Sequence, residues 1–282
     1  MEKRQSKTMF IVSLLIYGTI FTQMALYVIA YFVGWDMKFN LVDACQSALK
    51  AIGMASLKYA LDALVIYTLV FSGWKLGSQW IQTMKMKRKF QQYRENKLTI
   101  DLNKQYSIKK ESILVISYPV PLAITMGFIS PKIMISTGLM NLLTEEELEA
   151  VIYHEMYHQR NDDPLKLFLL SLCASSMAYI PILKWFNQKY RIIQEVMADH
   201  LAIEKQATSM YIGSALLKML KVGKLNSMPF VYASFADTSV NYRIEYILNP
   251  LKDRQLKIPM KIAFKSFTIF SLICIFFIYA LA

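Results

Sequence analysis

Thr144-Glu145-Glu146-Glu147-Leu148-Glu149-Ala150-Val151-Ile152-Tyr153-His154-Glu155-Met156-Tyr157-His158 is the stretch that decides how this chain is read. Thr144 followed by Glu147 has the S/T-x-x-E form of a capping box, so a helix is expected to start just after Thr144. Acidic residues at 145–147 suit the positive end of the helix dipole. Leu148, Val151, Ile152 and Met156 make an apolar stripe at helical spacing, and neither glycine nor proline interrupts the segment before Pro164. His154 and His158 then fall on one face, where two imidazoles can hold one Zn²⁺. Glu155 is placed to take a proton from a water at that metal, the chemistry of a zinc peptidase. The chain has three histidines in 282 residues, so finding two of them in H-E-x-x-H argues against a polar surface helix with unrelated histidines.

Composition sets the surroundings. The chain is 55% hydrophobic, with a mean hydropathy of +0.31, too apolar for an ordinary soluble domain. Met9 to Val33 carries no charge and is long enough to cross a bilayer. No small-residue cleavage site of the A-x-A kind follows it, which predicts an anchor rather than a removed signal. A second span is expected over Tyr59 to Ile81, with Lys58 and Asp62 pairing or snorkelling at the membrane surface. Ser266 to Ala282, preceded by Lys261 and Lys265, gives a third at the short limit for a span. The predicted organisation is two transmembrane helices in residues 1–83, a peptidase domain over 84–260 and a terminal transmembrane helix over 261–282.

Lys3, Arg4 and Lys7 precede the first span, and Lys85, Lys87, Arg88, Lys89, Arg94 and Lys97 follow the second. The positive-inside rule places the peptidase domain in the cytoplasm and the C-terminus outside. The net charge of +12 lies largely beside the spans, which fits anionic lipid headgroups better than specific nucleic-acid binding. Cys45, Cys173 and Cys274 are scattered, which argues against disulfides and a thiolate metal site.

The apolar stretch Leu165 to Ile182 is long enough to read as a further span, yet one crossing would carry all that follows to the opposite face. Two crossings need roughly 40 residues, more than the segment offers. A re-entrant helical hairpin over residues 165–190, turning near Ser175-Ser176 or Pro181, returns the chain without crossing. The alternative is an ordinary span with an unrelated C-terminal region. The return matters because a third metal ligand must lie farther on: Asn161 and Pro164 stand where the extended metzincin pattern needs Gly and His. Glu195 and Asp199 are four apart in a helical window. Glu195 can complete a His₂Glu site with Asp199 hydrogen-bonded to a ligand imidazole, or both can belong to a solvated helix face. His200 reads as a structural histidine beside Asp199. Ile113 to Ser117 and Ile133 to Ser136 read as short strands around a Pro/Gly-containing turn, a small sheet that either packs on the ligand helix or accepts an extended substrate along its edge.

Three separated motifs resemble one family. Gly127-Phe128-Ile129-Ser130-Pro131-Lys132-Ile133 matches its G-F-x-x-P-x-I turn, His154 to Asp163 its H-E-x-x-H-x-x-x-x-D, and Glu195 to Asp199 its E-x-x-(C/A)-D. Together they are similar to the BlaR/MecR-type membrane zinc peptidases, over about residues 110–250. Arg243-Ile244 resembles a later R-I-x-x-L segment, with Leu248 one position late. The resemblance implies a mostly α membrane protein, with transmembrane helices around a cytoplasmic gluzincin-type α+β domain. It implies Zn²⁺ on His154, His158 and Glu195, catalysis by Glu155, and support of the ligands by Asp199 and Asp163. Arg243 and Tyr157 are candidates to stabilise the oxyanion. The implied partners are the lipid bilayer of a bacterial-type membrane and a protein substrate such as a transcriptional repressor. The chain reaches Ala282 where sensor members begin a penicillin-binding domain, so the expectation is the peptidase unit alone. HtpX-like quality-control peptidases match Glu195 to Asp199 equally well, and a non-catalytic membrane transducer or scaffold is the rival of another class.

Overall fold

Runs of β-branched residues bounded by Pro and Gly build a three-stranded sheet at the heart of the chain. The computed structural model describes residues 2–35, 40–51, 53, 58–106, 112–223, 236–249 and 259–279. The strands are β1 (Ile113–Ile116), β2 (Ala123–Met126) and β3 (Lys132–Ser136), in the order β1-β3-β2. β1 runs parallel to β3, with Val115 opposite Ile135. β2 runs antiparallel to β3, with Thr125 opposite Ile133. Ile113, Val115, Ile133 and Ile135 enter one core cluster, whereas Leu114, Ile116 and Met134 pack with Phe90 in another. Burial on both faces explains why β1 and β3 are continuously apolar rather than alternating. The sequence pattern predicts β1 and β3 but not β2, a four-residue strand whose Ala123 and Met126 carry little strand signal.

Before the sheet come α1 (Glu2–Val33), α2 (Leu41–Ala51), α3 (Lys58–Gln92) and α4 (Asn96–Gln105). Two described helices are long and apolar enough to cross a membrane, Arg4–Val33 and Lys58–Gln92. The second continues past the expected end at Ile81, because its Lys, Arg, Met and Gln tail holds good helix formers and no breaker. The basic stretch after the second span is therefore helical through α3 and α4, and residues 107–111 at its end lie outside the described residues. Asn103 on α4 ties the helix to the sheet, donating to the Ile113 carbonyl and accepting from the Ser112 and Ile113 amides.

After β3 come α5 (Thr137–Leu142), α6 (Glu145–Arg160), α7 (Asp163–Ser176), α8 (Pro181–Gln206), α9 (Met210–Gly223), α10 (Ala236–Leu248) and α11 (Met260–Tyr279). Gly138, in the first turn of α5, has to be glycine because a Cβ there would stand 2.1 Å from the Pro119 carbonyl oxygen. The expected capping box at α6 is present: Thr144 Oγ1 accepts from the Glu147 amide, and Glu147 Oε2 accepts from the Thr144 amide. Ser214 and Lys218 on α9 also donate to the Glu147 carboxylate, at 2.6 and 2.7 Å. The helix start is thereby fastened to its neighbour, and the carboxyl sits below its usual range: burial would raise it, but Lys218, Ser214 and the Thr144 amide outweigh burial.

The chain forms two compact units. One holds Met1–Ser6, Trp80–Phe168 and Lys189–Gln255, and the other Lys7–Gln79, Leu169–Gln188 and Leu256–Ala282. The apolar stretch after Pro164 forms α7 as far as Ser176, turns, and resumes as α8 at Pro181, where the sequence placed its break. The third expected span is helical as α11 up to Tyr279, and its last residues, 280–282, lie outside the described residues. Cys45 and Cys173 are free thiols.

Candidate metal centre

Two helices and a tight turn assemble the centre within one unit. His154 and His158 project from one face of α6, and both are buried. α6 ends at Arg160, and Asp162 adopts φ +50°, a left-handed conformation that Asp tolerates better than most residues. The turn brings the next residue, Asp163, back beneath the helix it has just left, and its Oδ2 accepts from His158 Nδ1 at 2.8 Å. From α8, Asp199 Oδ1 accepts from His154 Nδ1 at 2.8 Å. One turn earlier on the same helix stands Glu195.

The remaining donor atoms converge. His154 Nε2 and His158 Nε2 are 3.2 Å apart. Glu195 Oε2 lies 3.5 Å from the first, and Oε1 lies 3.6 Å from the second. Around a tetrahedral Zn²⁺ with bonds of about 2.0–2.1 Å, neighbouring donors stand about 3.3 Å apart, so the three groups fit one ion. The tautomers support the same conclusion. With each Nδ1–H committed to a carboxylate, both Nε2 lone pairs face each other and repel unless a cation lies between them. A proton is one such cation. Burial and Arg243 pull the His154 imidazole down, but Asp199 and Glu195 more than offset them and push it up to about 9. His158 is likewise raised, its burial outweighed by Asp163 and Glu195. Burial favours the neutral acid of Glu195, yet His154, His158 and Arg243 hold it far below the usual carboxylate range.

Arg243 on α10 is drawn into the same cluster. Its Nε and one terminal nitrogen donate to the two oxygens of Asp199, both at 2.8 Å, and its other terminal nitrogen lies 3.2 Å from Glu195 Oε2. A bidentate guanidinium–carboxylate pair fixes both orientation and charge. Asp199 is fully buried, and burial would raise it, but Arg243 and His154 keep it ionised. Tyr157 donates to Gln194 at 3.1 Å. His200 faces Tyr246, with 2.7 Å between Nδ1 and the hydroxyl, and is not part of the convergent set.

Glu155 is buried beside the histidines, with its Oε2 2.7 Å from Thr125 Oγ1 on β2. Neither Thr125 nor Gln194 was picked out in sequence. A lone Thr in an unrecognised strand gives no signal, although period-two alternation from the buried Ala123 would have placed it on the inner face.

Known proteins match parts of this chain. The BlaR1 peptidase M56 family matches residues 36–247. A protease HtpX homolog from Moorella thermoacetica is 35% identical over 75 residues, 26% of this chain and 25% of its own length. One from Neisseria gonorrhoeae is 36% identical over 69 residues, 24% and 25% of the two chains. A protease HtpX homolog 2 from Methanosarcina acetivorans is 36% identical over 75 residues, 26% of each. The chain thus matches about a quarter of the length of these curated relatives. The family match takes in the sheet, both ligand helices and Arg243, and on that extent the chain belongs to the BlaR1 peptidase M56 family.

Proposed function

We propose that this chain is a membrane-embedded zinc endopeptidase that hydrolyses peptide bonds at the cytoplasmic face. The observation that carries the reading is the convergence of His154, His158 and Glu195, with ligand atoms within 4.8 Å of one another beside a buried Glu155. When bound there, Zn²⁺ supplies Lewis acidity to a scissile carbonyl and brings the pKa of water to about 7. Glu155 accepts a proton from the attacking water and returns it to the leaving amine. Asp163 and Asp199 keep the imidazoles in the tautomer that presents Nε2. β2, at the edge of the sheet and packed against α6, offers backbone groups to an extended substrate strand.

Oxyanion stabilisation stays a proposal for Arg243 and Tyr157. The contacts of Arg243 suit first the clamping of Asp199 and Glu195, and donation to an oxyanion would require its third nitrogen to leave Glu195. Tyr157 would have to leave Gln194. Membrane embedding draws support from the two long apolar helices. A re-entrant hairpin over residues 165–190 belongs to the same proposal, because a single crossing would separate α6 from the ligands on α8.

For substrate, the resemblance to BlaR/MecR-type peptidases favours regulated cleavage of a cytoplasmic protein such as a repressor. The second reading, quality control of membrane proteins, is favoured by the HtpX homologs, which are 35% and 36% identical over 75 residues, about a quarter of the chain. Mapping new protein N-termini in cells that express the wild type or Glu155→Gln tests both. One or two cytoplasmic sites lost in the variant support the signalling reading, and many sites in membrane proteins support quality control. Identical profiles under every stress tried would leave either a protease awaiting another trigger or a scaffold.

A further inference from the structure

Glu155 does not stand alone in its buried place. Thr125 Oγ1 is 2.7 Å from Glu155 Oε2 and 3.0 Å from the Glu155 carbonyl oxygen. A threonine hydroxyl has one proton to give. Within α6 the Glu155 carbonyl is already the acceptor for the amide four residues on, whereas the carboxylate is the closer and charged acceptor. The donor is also held firmly. Thr125 is opposite the fully buried Ile133 in the β2–β3 ladder. Ala123, on the same side of the strand, is locked into the core. A β-branched side chain on such a strand has little rotamer freedom.

We propose that Thr125 is a positioning residue for the general base, its hydroxyl pinning Glu155 Oε2 so that Oε1 is the oxygen that exchanges protons. The inference rests on the reading of Glu155 as that base. In the reaction, a water O–H bond breaks and its proton goes to Oε1, while the water oxygen forms the new bond to the carbonyl carbon and the C=O π pair moves onto the carbonyl oxygen. That pair then re-forms the C=O bond as the C–N bond breaks, and the proton passes from Oε1 to the amine nitrogen. Thr125 keeps its own proton throughout. Thr125 also lies on the edge strand that would carry the substrate through backbone groups, so its side chain aligns the base without contributing to substrate affinity. That separation of roles makes a split between kcat and KM the diagnostic.

The test uses the full chain in detergent micelles, loaded with Zn²⁺, with fluorescein-labelled β-casein as substrate and a peptidyl hydroxamate as a ligand that hydrogen-bonds the base without turnover. Thr125→Val is expected to lower kcat about tenfold with KM within about twofold, the scale of one hydrogen bond to a charged group. Hydroxamate affinity, read by calorimetry, is expected to weaken about tenfold in parallel. Thr125→Ser is expected to recover both to within about threefold. Bound zinc and Tm stay at wild-type values in both variants. Wild-type kcat or wild-type hydroxamate affinity in Thr125→Val overturns the proposal. Failure of Ser to rescue overturns it too, because the methyl packing would then be what matters, and so does loss of zinc in Thr125→Val, because the hydroxyl would then be supporting the metal site rather than aligning the base. Glu155→Gln separates the two levels. Turnover in that variant removes the base reading and the Thr125 proposal together, whereas an inert Glu155→Gln beside an unaffected Thr125→Val removes Thr125 alone.

Discussion

The ligand-bearing unit and the apolar unit both bury polar groups, but they dispose of them differently. In the apolar unit the networks close on themselves. Gln46 Nε2 donates to the Tyr27 hydroxyl and to Asp62 Oδ1, and Tyr27 donates to that same oxygen. Lys75 donates to Ser171 and Ser175, and Ser175 passes its own proton to the Ser171 carbonyl. Tyr17 donates to Ser72, which donates to the Thr68 carbonyl. Each chain of donors ends on a carboxylate or a backbone carbonyl. In the ligand-bearing unit the chains run the other way. Asp163 and Asp199 absorb the Nδ1 protons, so both Nε2 atoms and the Glu195 carboxylate converge on a common centre, with Arg243 donating to Glu195 from one side. Buried polarity points to chemistry where lone pairs converge; where donors and acceptors pair off, it points to packing.

The largest effect that follows belongs to Glu155. Glu155→Gln should keep the metal and lower cleavage by about 10²–10⁴-fold, because the amide cannot take the proton. Zinc content by atomic absorption beside casein turnover checks this, and residual wild-type activity would break the claim that convergence marks the reactive centre. Next come the two carboxylates that hold the imidazoles. Asp199→Asn should weaken zinc about 100-fold and Asp163→Asn about 10-fold. The first also leaves Arg243 with a buried neutral partner, which costs more than the loss of a local contact. Competition with a zinc chelator gives both numbers, and equal losses would show that Arg243 adds nothing through Asp199. Lys75→Met sharpens the contrast from the other side. Ser175 retains carbonyl acceptors on α7, so stability should change by about 1 kcal/mol or less and bound zinc should stay at the wild-type level. A loss of zinc in that variant would show that the closed networks also serve the centre.

How much of this was legible in the sequence depended on range. His154, Glu155 and His158 share one helix whose start, stripe and cap are all local, so spacing alone places the two histidines on one face with Glu155 beside them. Glu195 and Asp199 are legible as a pair but not as partners of that helix, because nothing local in the sequence links α8 to α6. The resemblance supplied that link. Asp163 shows why a motif can carry geometry: its reach to His158 depends on the left-handed Asp162 before it, which no periodicity records. β2 escaped notice because four residues without alternation give too weak a pattern, and Thr125 went with it.

The smallest prediction concerns the start of the ligand helix rather than its chemistry. Glu147 is 4% exposed and closes the capping box of α6 while accepting from Ser214 and Lys218 on α9. Its folded pKa is lowered from 4.5, so the folded state binds its proton less readily than the unfolded chain. The stabilisation is therefore fully present above about pH 4.5 and is lost as the pH falls through the lower folded value. Glu147→Gln should lower stability at pH 7 by about 1 kcal/mol, the scale of a helix cap, since Lys218 is partly exposed and adds little. At acid pH the wild type should approach the variant. Thermal unfolding of both proteins between pH 3 and 7 measures the gap. A gap that stays constant would mean that the Glu147 charge contributes nothing and that only the hydrogen-bond geometry, which glutamine can partly keep, holds α6 to α9.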